Sequence, residues 1–559
     1  MRILLVNWAR PWEGTRVGGG VNGYLQGLAL ALIERGHEVS WLCSGTICVP
    51  GGGASAEPGP CEIRRHDDWL GLRVFEVVNS PVLAPALLQF EGPETEVSAP
   101  ELEARFADLI GLLRPEVVHF HNIEGLSAGC VSAARLDGAR VFWSLHNYHP
   151  LCPQVYLMRG HRAPCHTFES GRACEGCIEA PDPAEERRRR AAAYPGDPAP
   201  FSAHADAEPE AGPRADAEQR HALPVLRWLG LGRQPTPPAP AAPGRPIEPE
   251  AAHRPQPRPL DHRGQTDRIL AERAGVTWFT PQDPTWTPLT NDVRPDRIEP
   301  NPNRYGRRRA AMLEALGACD GVLAVSEHVR ARYQAMGVPG RALRTLHIGT
   351  VAGDIAQRRA ERLFAPPPFD PNRPRPLRLV FMGANHWYKG LSMLADSLDL
   401  LDAAWLRRLA LTVVAAGGAS IEYRFRRMEP RLASLRFHQG YEPPDIPWIC
   451  GGQDIGIVPS VWWDNGPQTV MEYLACGLPV LGADIGGIPD FVTSGVNGLL
   501  FRANDRFDLA RTLAGLIDDP RRAERLRAGV RPPKTMAAHA AELEQLYREG
   551  VSSIAPAPP

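Results

Sequence analysis

Residues 459–501, PSVWWDNGPQTVMEYLACGLPVLGADIGGIPDFVTSGVNGLLF, decide the reading of the chain. The stretch divides into a strand end, a loop, a short helix, a second strand and a further loop. Pro467 suits the first turn of a helix, Asn465 is available as its cap, and Gly477 suits its stop. Asp464 then falls in the loop before the helix, and Glu472 lies eight residues later inside it. Such a segment collects a carboxylate, free backbone N–H groups and the positive end of a helix dipole at one sheet edge. Paired carboxylates suit the hydroxyls of a sugar or ribose, and the amides face negative charge. The plainer alternative is a capping aspartate and a solvated helical glutamate.

Working outward, the same alternation recurs on both sides. In the C-terminal half LRLVFMG, LALTVVAAG, DIGIVPS and LPVLGAD read as strands, and LSMLADSLDLL reads as a helix. In the N-terminal half residues 3–7 and 38–43 read as strands around a helix at 21–35. The runs 116–122 (EVVHFHN), 140–147 (RVFWSLHN) and 321–325 continue the pattern, the last followed by a helix capped by Ser326. Strands alternating with helices predict an α/β protein with doubly wound parallel sheets. The expected division is an N-terminal domain from 1–178 and 304–364, a hinge at 365–376 and a C-terminal domain at 377–535. A helix at 536–549, suited to packing back across the junction, and a tail at 550–559 complete the chain. Residues 179–303, rich in Pro, Ala and Arg and without sustained periodicity, predict a largely disordered insertion, with an islet of order near VLRWLGLG or VTWFTPQ, and account for much of the excess of 57 prolines in 559 residues.

The formal net charge is −2, which gives no electrostatic basis for binding nucleic acid. The opening MRILLVNW is too short an apolar run for a signal peptide, and no run approaches the ~18 apolar residues of a membrane span. A cytoplasmic location is expected, with peripheral contact at the inner membrane face as a further expectation. Gly18, Gly20 and Gly23 satisfy G-x-G-x-x-G. A dinucleotide cofactor is nonetheless disfavoured, because a long loop separates the glycines from the first strand and the second strand ends in Cys43-Ser44 rather than an acid. A glycine-rich loop opening a helix still suits a phosphate or a sugar oxygen.

Segment 459–501 resembles the donor-site signature of glycosyltransferase family 4, whose members carry Glu-x7-Glu ahead of a small-residue helix end and G-[LIV]-P-V. Asp464 stands where the family has its first glutamate, and Glu472 is the second. The resemblance implies two facing Rossmann-like domains of the GT-B type and no metal requirement for catalysis. It implies that Asp464, with the amides of Asn465 and Gly466, contacts donor-sugar hydroxyls while Glu472 holds the ribose. GGGVNGYLQGLALALIERGHEV resembles the family's N-terminal loop and helix, placing Gly19 and Gly20 near the donor diphosphate or the acceptor. SLHNYHPLCP carries over His146 as the histidine facing the transferred sugar. FMGANHWYKG resembles the phosphate-binding strand end, with Lys389 present and Ala384 where the family has an arginine. Asn385 or His386 then substitutes, or one cation and helix amides hold the diphosphate. The implied activity is retaining transfer of a sugar from a nucleoside diphosphate donor (UDP- or GDP-linked) to a glycan or lipid-linked acceptor, in polysaccharide or glycoconjugate synthesis. Lys389, Asp464, Glu472 and His146 are the expected catalytic residues. The departures at Asp464 and Ala384 motivate the alternative, a nucleotide-sugar-binding subunit without effective turnover.

Two features stand outside that site. Cys152, Cys165, Cys174 and Cys177 form C-x12-C-x8-C-x2-C, a candidate structural zinc set, with His166 as an alternative ligand and free thiols as the other reading. The arginine runs 187–190 and 307–309 read as solvated, with an anionic acceptor as a lesser reading.

Overall fold

The computed structural model describes residues 1–51, 57–161, 163–194, 289–296, 299–340, 342–358, 365–416 and 419–550. Among the described residues sixteen strands form two large sheets and one small hairpin. The N-terminal sheet holds β1 (Arg2–Val6), β2 (Glu38–Ile47), β3 (Glu62–Arg65), β4 (Arg73–Val78), β5 (Val117–Phe120), β6 (Arg140–Leu145), β9 (Gly321–Ala324) and β10 (Leu343–Thr345). Its order is β10-β9-β6-β5-β1-β2-β4-β3, parallel except for the edge strand β3. The hairpin β7 (Met158–Arg159) and β8 (Ala163–Pro164) stands apart. The C-terminal sheet holds β11 (Leu377–Ala384), β12 (Leu409–Ala416), β13 (Ser434–His438), β14 (Ile455–Val458), β15 (Val480–Ala483) and β16 (Gly498–Phe501).

That second sheet is wholly parallel in the order β13-β12-β11-β14-β15-β16. Counted from its own first strand the order is 3-2-1-4-5-6, the doubly wound arrangement whose ligand crevice opens where the winding reverses. The reversal lies between β11 and β14 in this sheet and between β1 and β5 in the other. The strands read as unbroken apolar runs because helices cover both faces; Leu4, Leu5, Val118, Leu379, Val380, Ile455 and Leu481 are all fully buried.

The helix Met536–Glu549 returns to the N-terminal domain. Arg35 Nε donates to Glu544 (2.6 Å), Tyr24 and His539 share a hydrogen bond (2.8 Å), and Arg140 donates to the carbonyls of Tyr547 and Arg548. The two chain crossings run side by side, with Thr350 N donating to Lys534 O (3.1 Å) and Met536 N to Asp354 (2.8 Å). Residues 365–376, expected as the hinge, are fastened to the C-terminal domain. Arg375 pairs with Asp454 (2.7 Å) and Phe369 N donates to Glu524 (2.6 Å).

Both ends of the expected insertion are ordered. A helix, Pro183–Ala192, is capped by Asp182, and Arg190 donates to the carbonyls of Gly45, Thr46 and Ala84. At the other end Leu289 N donates to Ala503 O, while Asn291 and Gly486 exchange two hydrogen bonds. Residues 195–288, the centre of that stretch, lie outside the described residues.

The arginine runs are solvated in part: Arg188, Arg189 and Arg307 are exposed, as expected, and the others are not. Arg187 donates to Asn79 O (3.1 Å), and Arg308 and Arg309 are buried. Arg308 pairs with Glu96 through two bonds of 2.6 and 2.8 Å. A charge run in the sequence does not reveal which members are sealed against a carboxylate.

Candidate active site

The loops that leave β11 and β14 meet at the reversal point. Ala384 ends β11 exposed, Asn385 follows half-exposed, and a short turn, Trp387–Lys389, leads to Gly390. Gly390 adopts φ +75°, and a Cβ there would lie 1.6 Å from the carbonyl oxygen of Pro459. Glycine therefore lets the β11 loop press on the β14 loop, which brings Lys389 to Asp464. Lys389 Nζ donates to Asp464 Oδ2 (3.0 Å), and Ser460 Oγ donates to the same oxygen (3.1 Å). Lys389 and Asp464 line one pocket with Phe381, Met382, Pro467 and Thr469.

The helix Gln468–Ala475 has Pro467 at its cap position with no side-chain cap. The expected cap, Asn465, is not used; its Oδ1 is buried without a partner. Proline in place of a capping side chain leaves the first backbone N–H groups of the helix uncapped. Glu472, half-buried on this helix, accepts from Tyr441 Oη (3.2 Å), and burial raises its carboxyl to about 7. Tyr441 was not singled out from sequence; it lies in YEPPDI, residues 441–446, ahead of the segment 459–501.

The N-terminal domain closes over this edge. Gln468 Nε2 donates to Gly20 O (2.7 Å), so the glycine loop at Gly19 and Gly20 touches the helix Gln468–Ala475. A Cβ on Gly466 would meet Val325 Cγ2 at 3.1 Å, which leaves room for little but glycine beneath the end of β9. Tyr148, two residues past His146, donates to Trp463 O (3.1 Å), the carbonyl just before Asp464. Tyr156, Tyr388 and Trp462 form an aromatic wall across the domains, with ring centroids 5.0–5.5 Å apart.

His146 follows β6 and is 9% exposed. It shares a 3.1 Å hydrogen bond with His121 and packs its ring 4.9 Å from that of Tyr24. Burial lowers its pKa to about 3 and also depresses His121 and His119, so all three are neutral at pH 7. His121 was missed as a site neighbour, although the i, i+2 histidines of HFH mark one face of a strand end.

One other group of titratable residues resembles a metal set: Cys43, His66 and Glu76, whose ligand atoms all lie within 4.8 Å. Glu76 already accepts from Arg10 (2.8 and 3.0 Å), Thr46 (2.9 Å) and His66 (2.7 Å). A carboxylate satisfied by that many donors is a structural anchor for Arg10 rather than a ligand in waiting.

Residues 376–519 match the family model described as glycosyl transferases group 1, and residues 19–194 match the glycosyl transferase 4-like domain. Among curated relatives, a D-inositol 3-phosphate glycosyltransferase of Corynebacterium aurimucosum is 30% identical over 183 residues, covering 31% of this chain and 43% of its own length. That of Thermomonospora curvata is 33% identical over 168 residues, covering 28% and 39%. The chain thus aligns with less than half the length of these relatives. The sucrose-phosphate synthase of Thermosynechococcus elongatus is similar in fold, with a TM-score of 0.52, 15% identity and 98% of each chain covered. With both domains matched in order over more than half its length, the chain belongs to the group 1 (family 4) glycosyl transferases.

Proposed function

We propose that the protein is a retaining glycosyltransferase that moves a sugar from a UDP- or GDP-linked donor to an acceptor hydroxyl in polysaccharide or glycoconjugate synthesis. The observation that carries this reading is the Lys389–Asp464 pair at the carboxyl edge of β11 and β14, beside the uncapped start of the helix Gln468–Ala475. The donor diphosphate lies against Lys389 and the helix amides, which stabilise the charge that grows on it as the glycosidic bond breaks. Glu472 accepts from the ribose hydroxyls. Asp464 exchanges its contact with Lys389 for the sugar hydroxyls once the diphosphate neutralises the lysine. Neutral His146 faces the sugar as a hydrogen-bonding group rather than a cation. Closure of the domains excludes water from the oxocarbenium-like transition state and limits donor hydrolysis. No metal enters the scheme. A cytoplasmic protein working on a glycan or lipid-linked acceptor fits this chemistry, and among the described residues no helix is long and apolar enough to cross a membrane.

A second reading is favoured by one observation: Asp464 Oδ2 is already committed to Lys389 and Ser460, and Ala384 supplies no second cation. On that reading the chain binds nucleotide sugars without turning them over. Nucleoside diphosphate release from a panel of UDP- and GDP-sugars, with and without oligosaccharide acceptors, separates the two. Turnover abolished by Lys389→Ala supports transfer. Tight binding with no release from any donor supports the binding subunit.

A further inference from the structure

The loop between β6 and the helix Pro183–Ala192 brings together four cysteines that the transfer chemistry does not use. Cys152 is held by its N–H to Tyr148 O (2.7 Å), and Val155 N donates back to Cys152 O (2.8 Å) to close a turn. The β7–β8 hairpin then turns the chain back, and Cys165 N donates to Leu157 O (2.8 Å), setting Cys165 beside the same turn. Cys177 closes the set: its sulfur accepts from Gly160 N (3.3 Å) and Gln154 Nε2 (3.4 Å), which ties it to both the hairpin and the Cys152 turn. Cys174 is buried in one apolar cluster against which Cys165 and Cys177 pack, and Cys177 N donates to Cys174 O (3.1 Å). All four are free thiols. The two N–H groups on the Cys177 sulfur suit a sulfur that carries negative charge, whereas Cys165 Sγ donates to Thr167 O (3.4 Å).

A second observation points to negative charge here. Arg309 is buried beside the Cys152 turn, where its Nε donates to Leu151 O (2.8 Å), and Arg308, the residue before it, is fully buried. Arg308 Nη1 is buried without a partner, and Arg309 has only Asp296 at 3.3 Å as an ionic partner. Buried arginines leave donors unpaired at a cost unless an anion lies nearby.

We propose that Cys152, Cys165, Cys174 and Cys177 bind one zinc ion as a structural tetrathiolate centre. Loading releases four thiol protons to solvent and leaves a centre of charge −2, with no change of oxidation state, facing Arg308 and Arg309. In the structure no three of these sulfurs lie within 4.8 Å of one another, so loading draws the side chains inward by rotation about χ1. The same loop carries Tyr148 and Tyr156, so the zinc holds the N-terminal side of the aromatic wall against Trp462 and Tyr388.

Elemental analysis of the full chain, purified without chelator from zinc-supplemented medium, tests this. About one zinc per chain is expected, falling below about 0.2 in Cys174→Ser and Cys177→Ser and unchanged in Cys319→Ser. Because those variants can fail to fold, the wild-type chain is also titrated with an organomercurial beside a chromophoric chelator. Zinc release that runs in step with four thiols supports the site, as does a tetrahedral thiolate spectrum after cobalt substitution. Less than about half an equivalent of zinc after reconstitution overturns it. Iron in its place, or these cysteines paired as disulfides, also overturns it.

Discussion

Two charged clusters flank the cleft and are built in opposite ways. In the C-terminal domain the Lys389 and Asp464 side chains are 29% and 6% exposed, and their single 3.0 Å contact opens into a pocket. In the N-terminal domain those of Arg308 and Glu96 are 0% and 2% exposed, bidentate, and joined by His149 at 2.9 Å. The first is an ion pair that a ligand can enter. The second is sealed before any ligand arrives. What separates chemistry from architecture is thus not the presence of a charge pair but whether one partner keeps access to solvent.

Breaking the sealed pair has the largest expected effect on the fold. Glu96→Ala strands a buried guanidinium and costs about 3–5 kcal/mol, read as a fall in the N-terminal domain's calorimetric transition. Burial pushes the Glu96 carboxyl up, but Arg308 and His149 more than offset this and bring it to about 2. The folded value lies below the unfolded one, so the stabilisation is complete above ~4.5 and is lost as pH falls through about 2. A stability profile flat over that range would argue that the pair contributes nothing.

Lys389→Ala should do the reverse. Its stability cost stays below about 1 kcal/mol because the pair is partly exposed, whereas turnover falls roughly 10²–10³-fold. A large stability loss with turnover retained would place Lys389 among the structural charges.

A smaller effect concerns Glu472, whose carboxyl is raised to about 7 by burial. On the proposed function the ribose hydroxyls donate to its ionised form, so the donor KM should rise as pH drops below 7, up to roughly tenfold per unit. Glu472→Gln should flatten that dependence, and an unaltered profile in the variant would remove Glu472 from donor binding.

The smallest effect is expected at the returning helix. Tyr547→Phe removes the hydroxyl bonded to His119 (2.5 Å) and should cost about 1 kcal/mol with kcat unchanged. A selective fall in kcat would instead link that helix to His146.

The comparison also explains what was legible in the sequence. Asp464 and Glu472 belong to one contiguous segment whose strand, loop and helix are local, and the parallel C-terminal strands announce themselves as apolar runs. The N-terminal polar contacts were not legible, because their partners are far apart in the chain. Glu96 meets Arg308 across 212 residues, and His119 meets Tyr547 across 428. Arg307–Arg309 read as a solvated run because nothing local shows which arginine a distant carboxylate will bury. Asn465 read as a cap because its residue type was right, but the helix starts two residues later than that reading needs, with Pro467 at the cap position and the Asn465 amide oxygen unpaired. The closure of the cleft through Gln468 and Gly20, or Tyr148 and Trp463, depends on how two domains meet, which local sequence patterns do not encode.

Hydrogen exchange of the full chain with and without UDP and GDP tests the central claim most directly. A donor held at the β11–β14 reversal should slow exchange in residues 384–390 and 464–472 with either the uridine or the guanosine nucleotide. The buried Glu96–Arg308 region should stay unchanged. Protection confined to the N-terminal sheet, or none in those two C-terminal loops at saturating nucleotide, would contradict the assignment of the donor site.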